Sequence, residues 1–310
     1  MRVYSVISDY SKEAIEILKR NSIEVNVNDT NKEYSTDEIV KLLQDYDCLI
    51  IGVRTKISKD ILDYVKEPKV IATLSIGLDH IDSEVINSDV VKVINVKESI
   101  AHSVAEHIFS LILALSKRVY VGNDLVINGD GDRKYIRDKP EDIYGKTLGL
   151  IGAGNITKEV IKIASVFDMK MICYTKHPDK HSDLLDYVVE FKSLDDVLSE
   201  SDIVNVSIPL TEETTKIISK EKLNLMKENA IFINTSRADV VDMRGLFEKV
   251  DKNKKFYVGL DIDCDEYEFM FSFFKTNVIV TPHIAGLTKQ AIDKMDLEIA
   301  KKIIEIKNSQ

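Results

Sequence analysis

Short β-branched runs alternate with helix-patterned segments from the first residues of this 310-residue chain, and that alternation constrains the fold more than any other feature. RVYSVIS, IEVNVN, CLIIGV, KVIATL and VKVINV read as strands, with KEAIEILKR, TDEIVKLLQ and DSEVINS between them. Strands separated by helices cannot pair as hairpins, so they predict a parallel sheet with crossover connections. The series stops after about 100 residues and restarts with KTLGLIGAG. It then runs through KEVIKIASVF, KMICYT, DIVNVSI, KLNLMK, AIFINTS, RGLFEKV and FYVGLDI to NVIVTP. Two α/β units are expected.

Between them, SVAEHIFSLILALSKRV places Val104, Ile108, Leu111, Ile112 and Leu115 on one helical face, which predicts a buried helix near 103–121. NGDGDRKYIRDKPEDIYGK then reads as a loop. The tail TKQAIDKMDLEIAKKIIEIKN is an amphipathic helix with no evident place in the second unit.

Hydrophobic residues at 44% with 30% charged residues describe a globular chain with a real core. The net charge of −10 gives no basic field for nucleic acid. The amino terminus lacks the apolar run of a signal peptide, and the longest apolar stretch, 108–115, is far short of a membrane span. Cys48, Cys173 and Cys264 are too scattered for a zinc site and odd in number for a disulfide framework. A cytoplasmic protein is expected, with no metal and neither nucleic acid nor membrane as partner.

The stretch TLGLIGAGNIT carries the first chemistry. Gly145, Gly149, Gly152 and Gly154 fall within ten residues, where regular elements would not tolerate them without a reason. A strand, tight turn and helix holding a dinucleotide pyrophosphate supplies that reason. Gly152 would permit the sharp exit from the strand and Gly154 the approach of the phosphates. The helix from Asn155 would aim its amides at the anion. Thr157 stands where a third glycine usually packs helix on strand. The next strand, KMICYT, should end in an acid that holds the adenosine ribose, but ends in Thr175, followed by Lys176 and His177. A carboxylate would repel a 2′-phosphate, so NADP is expected in preference to NAD.

INTSRADVVD with Arg237, GLDIDCDE with Asp261 and Glu266, and TPHIAG with His283 complete the set. With SIGLDHID and NVKESIAHSVAEH before them, in this order and spacing, the chain resembles the D-isomer-specific 2-hydroxyacid dehydrogenases over most of its length. That resemblance implies two Rossmann-like or flavodoxin-like parallel-sheet domains, with a dinucleotide-binding domain (100–284) inserted into a substrate domain (1–99 plus 285–310). The tail helix then returns to the first hundred residues. It also implies reduction of a short 2-keto acid to the D-2-hydroxy acid in a cleft between the domains, by a homodimer joined through the long helix.

The chemistry suits the residue types. Arg237 offers a planar fork for carboxylate and carbonyl oxygens, and His283 a proton near neutrality. Glu266 matches the carboxylate that orients the imidazole, and Asp261 the residue facing the nicotinamide carboxamide. The resemblance further places Asn155, Ile156, Pro209, Thr214, Thr235 and Ser236 around the cofactor. It puts the amides near Ile76 and Gly77 on the substrate carboxylate. Arg54, at the end of an early strand, is placed either to reach the distal end of the substrate or to form a structural ion pair. Glu266 is followed by YEFMFSFF where the family usually has a proline. A nucleotide-sensing, non-enzymatic corepressor of the same fold is the alternative, because such a protein can retain the same set.

Overall fold

The computed structural model describes residues 1–30, 32–97, 100–129, 131–132, 134, 139–187, 189–263 and 277–309. The chain forms two compact units, one of Met1–Ile100 with Thr288–Gln310 and one of Ala101–Leu287. The second is an insertion in the first.

In the first unit β1 (Arg2–Ser5), α1 (Lys12–Arg20), β2 (Glu24–Val27), α2 (Thr36–Asp45), β3 (Cys48–Ile51), β4 (Lys69–Thr73), α3 (Ser83–Ile86) and β5 (Val91–Asn95) follow one another. The strands pair in parallel in the order β2-β1-β3-β4-β5. Both faces are buried, as crossover helices require. In β3, Cys48 and Ile50 enter one core while Leu49 and Ile51 enter the other.

The second unit begins with α4 (Ala101–Lys117) and α5 (Val119–Ile127), and continues through β6 (Thr147–Ile151), α6 (Asn155–Val166), β7 (Lys170–Tyr174), β8 (Val189–Phe191), α7 (Leu194–Glu200), β9 (Ile203–Val206), α8 (Lys220–Leu225), β10 (Ile231–Asn234), α9 (Met243–Lys252), β11 (Tyr257–Asp261) and β12 (Val278–Thr281). Its strands are parallel in the order β12-β11-β10-β9-β6-β7-β8. The apolar stripe Val104, Ile108, Leu111, Ile112 and Leu115 is buried, with α4 packed on α6, β10 and β11. That stripe is spent inside its own unit. Gly259 allows the close packing: a Cβ there would lie 2.8 Å from Ile233 Cδ1 and 3.2 Å from Leu111 Cβ. The single helix expected near 103–121 is two, because Arg118 adopts a left-handed φ of 55° between them. Its guanidinium lies 3.5 Å from the Tyr257 ring centroid.

The tail forms α10 (Lys289–Asn308), started by the Thr288 hydroxyl, which accepts from Ala291 N at 3.2 Å. Met295, Ile299, Ala300 and Ile303 pack with Val3, Leu18, Ile50 and Val70, so this helix covers one face of the first sheet. It also buries Asp296 completely. The Asp296 carboxylate accepts from Ser11 N at 2.8 Å, and burial, aided by Asp9 and Asp293, pushes its carboxyl up to about 7.

A carboxyl raised in the folded state binds more protons there than in the unfolded chain, so stability falls as pH rises from 3.8 to about 7. Asp296→Asn keeps an acceptor for Ser11 and removes the buried charge. Its melting temperature should exceed that of the parent by several degrees at pH 8, on the order of 2 kcal/mol, and match it near pH 4. Parallel curves across that range in calorimetry would show that the charge is not what limits stability.

Candidate active site

Because its strands are all parallel, the second sheet gathers the carboxyl ends of β6, β9, β10, β11 and β12 along one edge. The order reverses between β6 and β9, the kind of position where open α/β sheets take ligands. Leaving β6, the chain turns at Gly152 with φ +107°, and a Cβ there would collide with the Ser207 carbonyl oxygen. Only glycine fits. Gly154 then starts α6 without a side-chain cap and with no atom within 4 Å of a would-be Cβ. By contrast, Ser11, Ser193, Ser219, Asp242 and Thr288 cap α1, α7, α8, α9 and α10 with their own oxygens. An uncapped helix start beside open space suits a phosphate.

Thr157 is the departure from the third glycine, and the structure explains it. Fully buried, its hydroxyl donates to the Gly152 carbonyl at 2.9 Å and ties the first turn of α6 to the glycine turn. The helix itself starts at Asn155, with Ile156 partly buried beside it.

The remaining strand ends supply the rest of the edge. After β7, Thr175 Oγ1 accepts from His177 N at 3.4 Å, while Lys176 pairs with Glu213 at 2.6 Å in the open. Beyond β9 the Pro209 carbonyl accepts from Thr214 Oγ1 at 2.7 Å. At the end of β10, Asn234 is fully buried. Its Oδ1 accepts from Ser236 N at 2.9 Å and its Nδ2 donates to the Arg237 carbonyl at 2.8 Å, which holds Arg237 at the strand end. The buried Thr235 hydroxyl has no hydrogen-bond partner among the described residues, an opening for a polar ligand group. Together with the Gly152 turn, this makes the edge a fit for a dinucleotide.

Asp261, at the end of β11, is fully buried and heavily used. Its oxygens accept from Thr281 Oγ1 at 2.6 Å, Ile284 N at 2.8 Å and Ala285 N at 2.8 Å. The carboxylate therefore clamps the turn after β12, in which His283 takes a left-handed φ of 53°. An ionised carboxylate only accepts, so Thr281 gives it its proton and takes a hydrogen bond from His107 Nε2 at 3.0 Å. His107 lies on the apolar helix α4, where nothing in the local sequence marks it. It braces the turn that carries His283 through Thr281. His283 Nδ1 lies 3.1 Å from Asp263 Oδ2, another residue that the sequence did not single out. Glu266, expected to be that carboxylate partner, lies outside the described residues.

In the first unit, the loop after β4 is braced by side chains. Ser75 Oγ donates to the Gly77 carbonyl at 2.7 Å and Asn95 Nδ2 to the Ile76 carbonyl at 2.8 Å. The amides of Ile76 and Gly77 have no acceptor among the described residues. Arg54 is exposed just after β3 and forms no ion pair among the described residues.

Residues 109–285 match the family model described as D-isomer specific 2-hydroxyacid dehydrogenase, NAD binding domain. The chain belongs to the D-isomer specific 2-hydroxyacid dehydrogenase family. It is 35% identical to a hydroxypyruvate reductase of Thermotoga maritima, over 95% of this chain and 94% of that one. A glyoxylate reductase of Pyrococcus horikoshii is 31% identical over 94% of this chain and 88% of its own. Among solved structures, a D-lactate dehydrogenase from Aquifex aeolicus complexed with NAD and lactic acid superposes with a TM-score of 0.83, at 27% identity, covering 100% of this chain and 96% of that one. The chain is thus a nicotinamide-dinucleotide-dependent oxidoreductase that interconverts 2-keto and 2-hydroxy acids. No helix among its described residues is long and apolar enough to cross a membrane.

Thr157→Val keeps the volume and removes the hydroxyl. Unfolding should become easier by about 1–2 kcal/mol, and dinucleotide affinity should weaken severalfold by titration calorimetry. Unchanged affinity would show that the bond to Gly152 does not shape the turn.

Proposed function

We propose that the dehydrogenase reduces a short 2-keto acid, glyoxylate or hydroxypyruvate, to the D-2-hydroxy acid, with Arg237 as substrate anchor and His283 as acid/base. The observation that carries this reading is the shared sheet edge. Arg237 and His283 follow β10 and β12, two interstrand spacings apart, roughly 10 Å, the span of a small acid between them. Two relatives similar over most of the chain are named for the reduction of such acids, hydroxypyruvate and glyoxylate.

Arg237 suits the carboxylate and keto oxygen because its guanidinium is a rigid fork. His283 gives its ring proton to the carbonyl oxygen as the alcohol forms, and takes it back in the reverse direction. Bound nicotinamide supplies the hydride. The amides of Ile76 and Gly77 hold the substrate carboxylate, Arg54 meets its distal end, and Glu266 supports the imidazole. Gly152, Gly154, Asn155 and Ile156 hold the pyrophosphate, and Pro209, Thr214, Thr235, Ser236 and Asp261 hold the nicotinamide half.

NADPH is the preferred cofactor, because Thr175 removes the carboxylate that would repel a 2′-phosphate. Glu213 opposes this by occupying Lys176, but a pair so exposed is worth little and yields to a phosphate. The protein acts in the cytoplasm as a homodimer. With the α4 stripe buried, the exposed Val119, Val126 and Ile127 of α5 offer apolar surface beside it for that contact.

Steady-state oxidation of NADPH and NADH with a panel of short 2-keto acids tests the reading. His283→Ala should lower turnover about 10²- to 10⁴-fold with dinucleotide affinity retained, and Arg237→Lys should raise KM and lower kcat together. Thr175→Asp should reverse the cofactor preference, and Glu213→Gln should strengthen it. Dinucleotide binding without turnover of any of these acids would favour the corepressor instead.

A further inference from the structure

A line of polar side chains stands behind the loop that follows β4. His80 Nε2 lies 2.9 Å from Thr73 Oγ1, Thr73 Oγ1 lies 2.8 Å from Ser75 Oγ, and Ser75 Oγ lies 2.7 Å from the Gly77 carbonyl. Thr73 and Ser75 are both buried, so neither hydroxyl can turn to bulk water instead. A carbonyl only accepts, so the Ser75 proton goes to Gly77. Ser75 must then accept from Thr73, and Thr73, its one proton spent, must accept from His80. A single direction makes all three bonds, and it starts at His80 Nε2–H. The backbone under the ring is fixed as well, because the His80 carbonyl accepts from Ile57 N at 2.9 Å. At the far end sits a glycine, the freest joint a loop can have. In a trans peptide the carbonyl and the N–H point opposite ways. Asn95 Nδ2, from β5, holds the Ile76 carbonyl at 2.8 Å and so sends the Gly77 N–H to the other side. The line from His80 holds the peptide that leaves Gly77. Both planes that flank the glycine are therefore fixed by side chains.

We propose that His80 is a positioning residue for substrate: through Thr73 and Ser75 it locks the Gly77 carbonyl, and with it the glycine whose amide takes the substrate carboxylate. This rests on the reading of the Ile76 and Gly77 amides as the carboxylate site. No proton moves along the line. Each stays on its own atom, so the effect falls on binding and not on the chemical step. A loop already held in its binding shape has less freedom to lose when the acid arrives. The carboxylate is held alike in the ground state and the transition state, so loosening the loop raises KM and leaves kcat in place.

Steady-state kinetics of the full chain with hydroxypyruvate, at saturating dinucleotide, test this. His80→Leu should raise KM roughly tenfold, the worth of one buried hydrogen bond, with little change in kcat. His80→Gln, whose side-chain amide still donates, should keep most of the parent affinity. Thr73→Val breaks the line one bond further on at nearly the same volume and should raise KM as much. With both changes in one chain the two effects should not add, because they cut the same line. Unchanged KM in the two single variants, with only the melting temperature lowered, would overturn the proposal. So would effects that multiply in the double variant, a fall in kcat at constant KM, or a His80→Gln chain as impaired as His80→Leu. Gly77→Pro deletes the amide itself and tests the reading beneath. An unchanged KM there removes the loop from the substrate site, whereas a raised KM there with an unchanged KM in His80→Leu removes His80 alone.

Discussion

Strands that all run in one direction cannot be joined by tight turns, and every other feature of this protein follows from that constraint. Each strand must be followed by a crossover, so all carboxyl ends of the second sheet open on one edge. Gly152, Pro209, Arg237, Asp261 and His283 are separated in sequence by crossover helices. The sheet brings their strand ends into a row, at spacings set by backbone hydrogen bonds. The same constraint leaves both sheet faces to be covered, which is why α4 is apolar and why the first sheet takes back α10 from the end of the chain.

Within that row, a fully buried carboxylate organises the turn that carries His283. Asp261 would be costly to bury without partners. Its partners are two backbone amides and a threonine hydroxyl, all from the segment that carries His283. Through the threonine the network reaches His107 on α4, so a helix that looks purely structural bears on the position of His283. The carboxylate satisfies itself by fixing the backbone beside His283, and Asp263 meets the ring that this backbone presents.

The fold was legible in the sequence where burial on both sheet faces makes continuous apolar runs, as in CLII of β3 and TLGLI of β6. β8 escaped because three residues carry too little pattern, and α7 because only seven residues follow its cap. The break at Arg118 has no glycine or proline to announce it. It is a single left-handed residue held where the chain passes Tyr257. In the site, the glycine turn and the arginine, acid and histidine motifs stood out because each is compact in sequence. Thr157 read as a tolerated gap and is instead a hydrogen-bonded brace. The Asp263–His283 and His107–Thr281 contacts join residues far apart in the chain and left no local signal.

The most direct test follows the hydride itself. Hydroxypyruvate is incubated with the dinucleotide carrying deuterium at the transferable position, and the product is resolved by chiral chromatography with mass detection. D-glycerate bearing one deuterium at C2 is the predicted product. Glycerate without the label, or the L-isomer, would contradict direct and stereospecific transfer by this site.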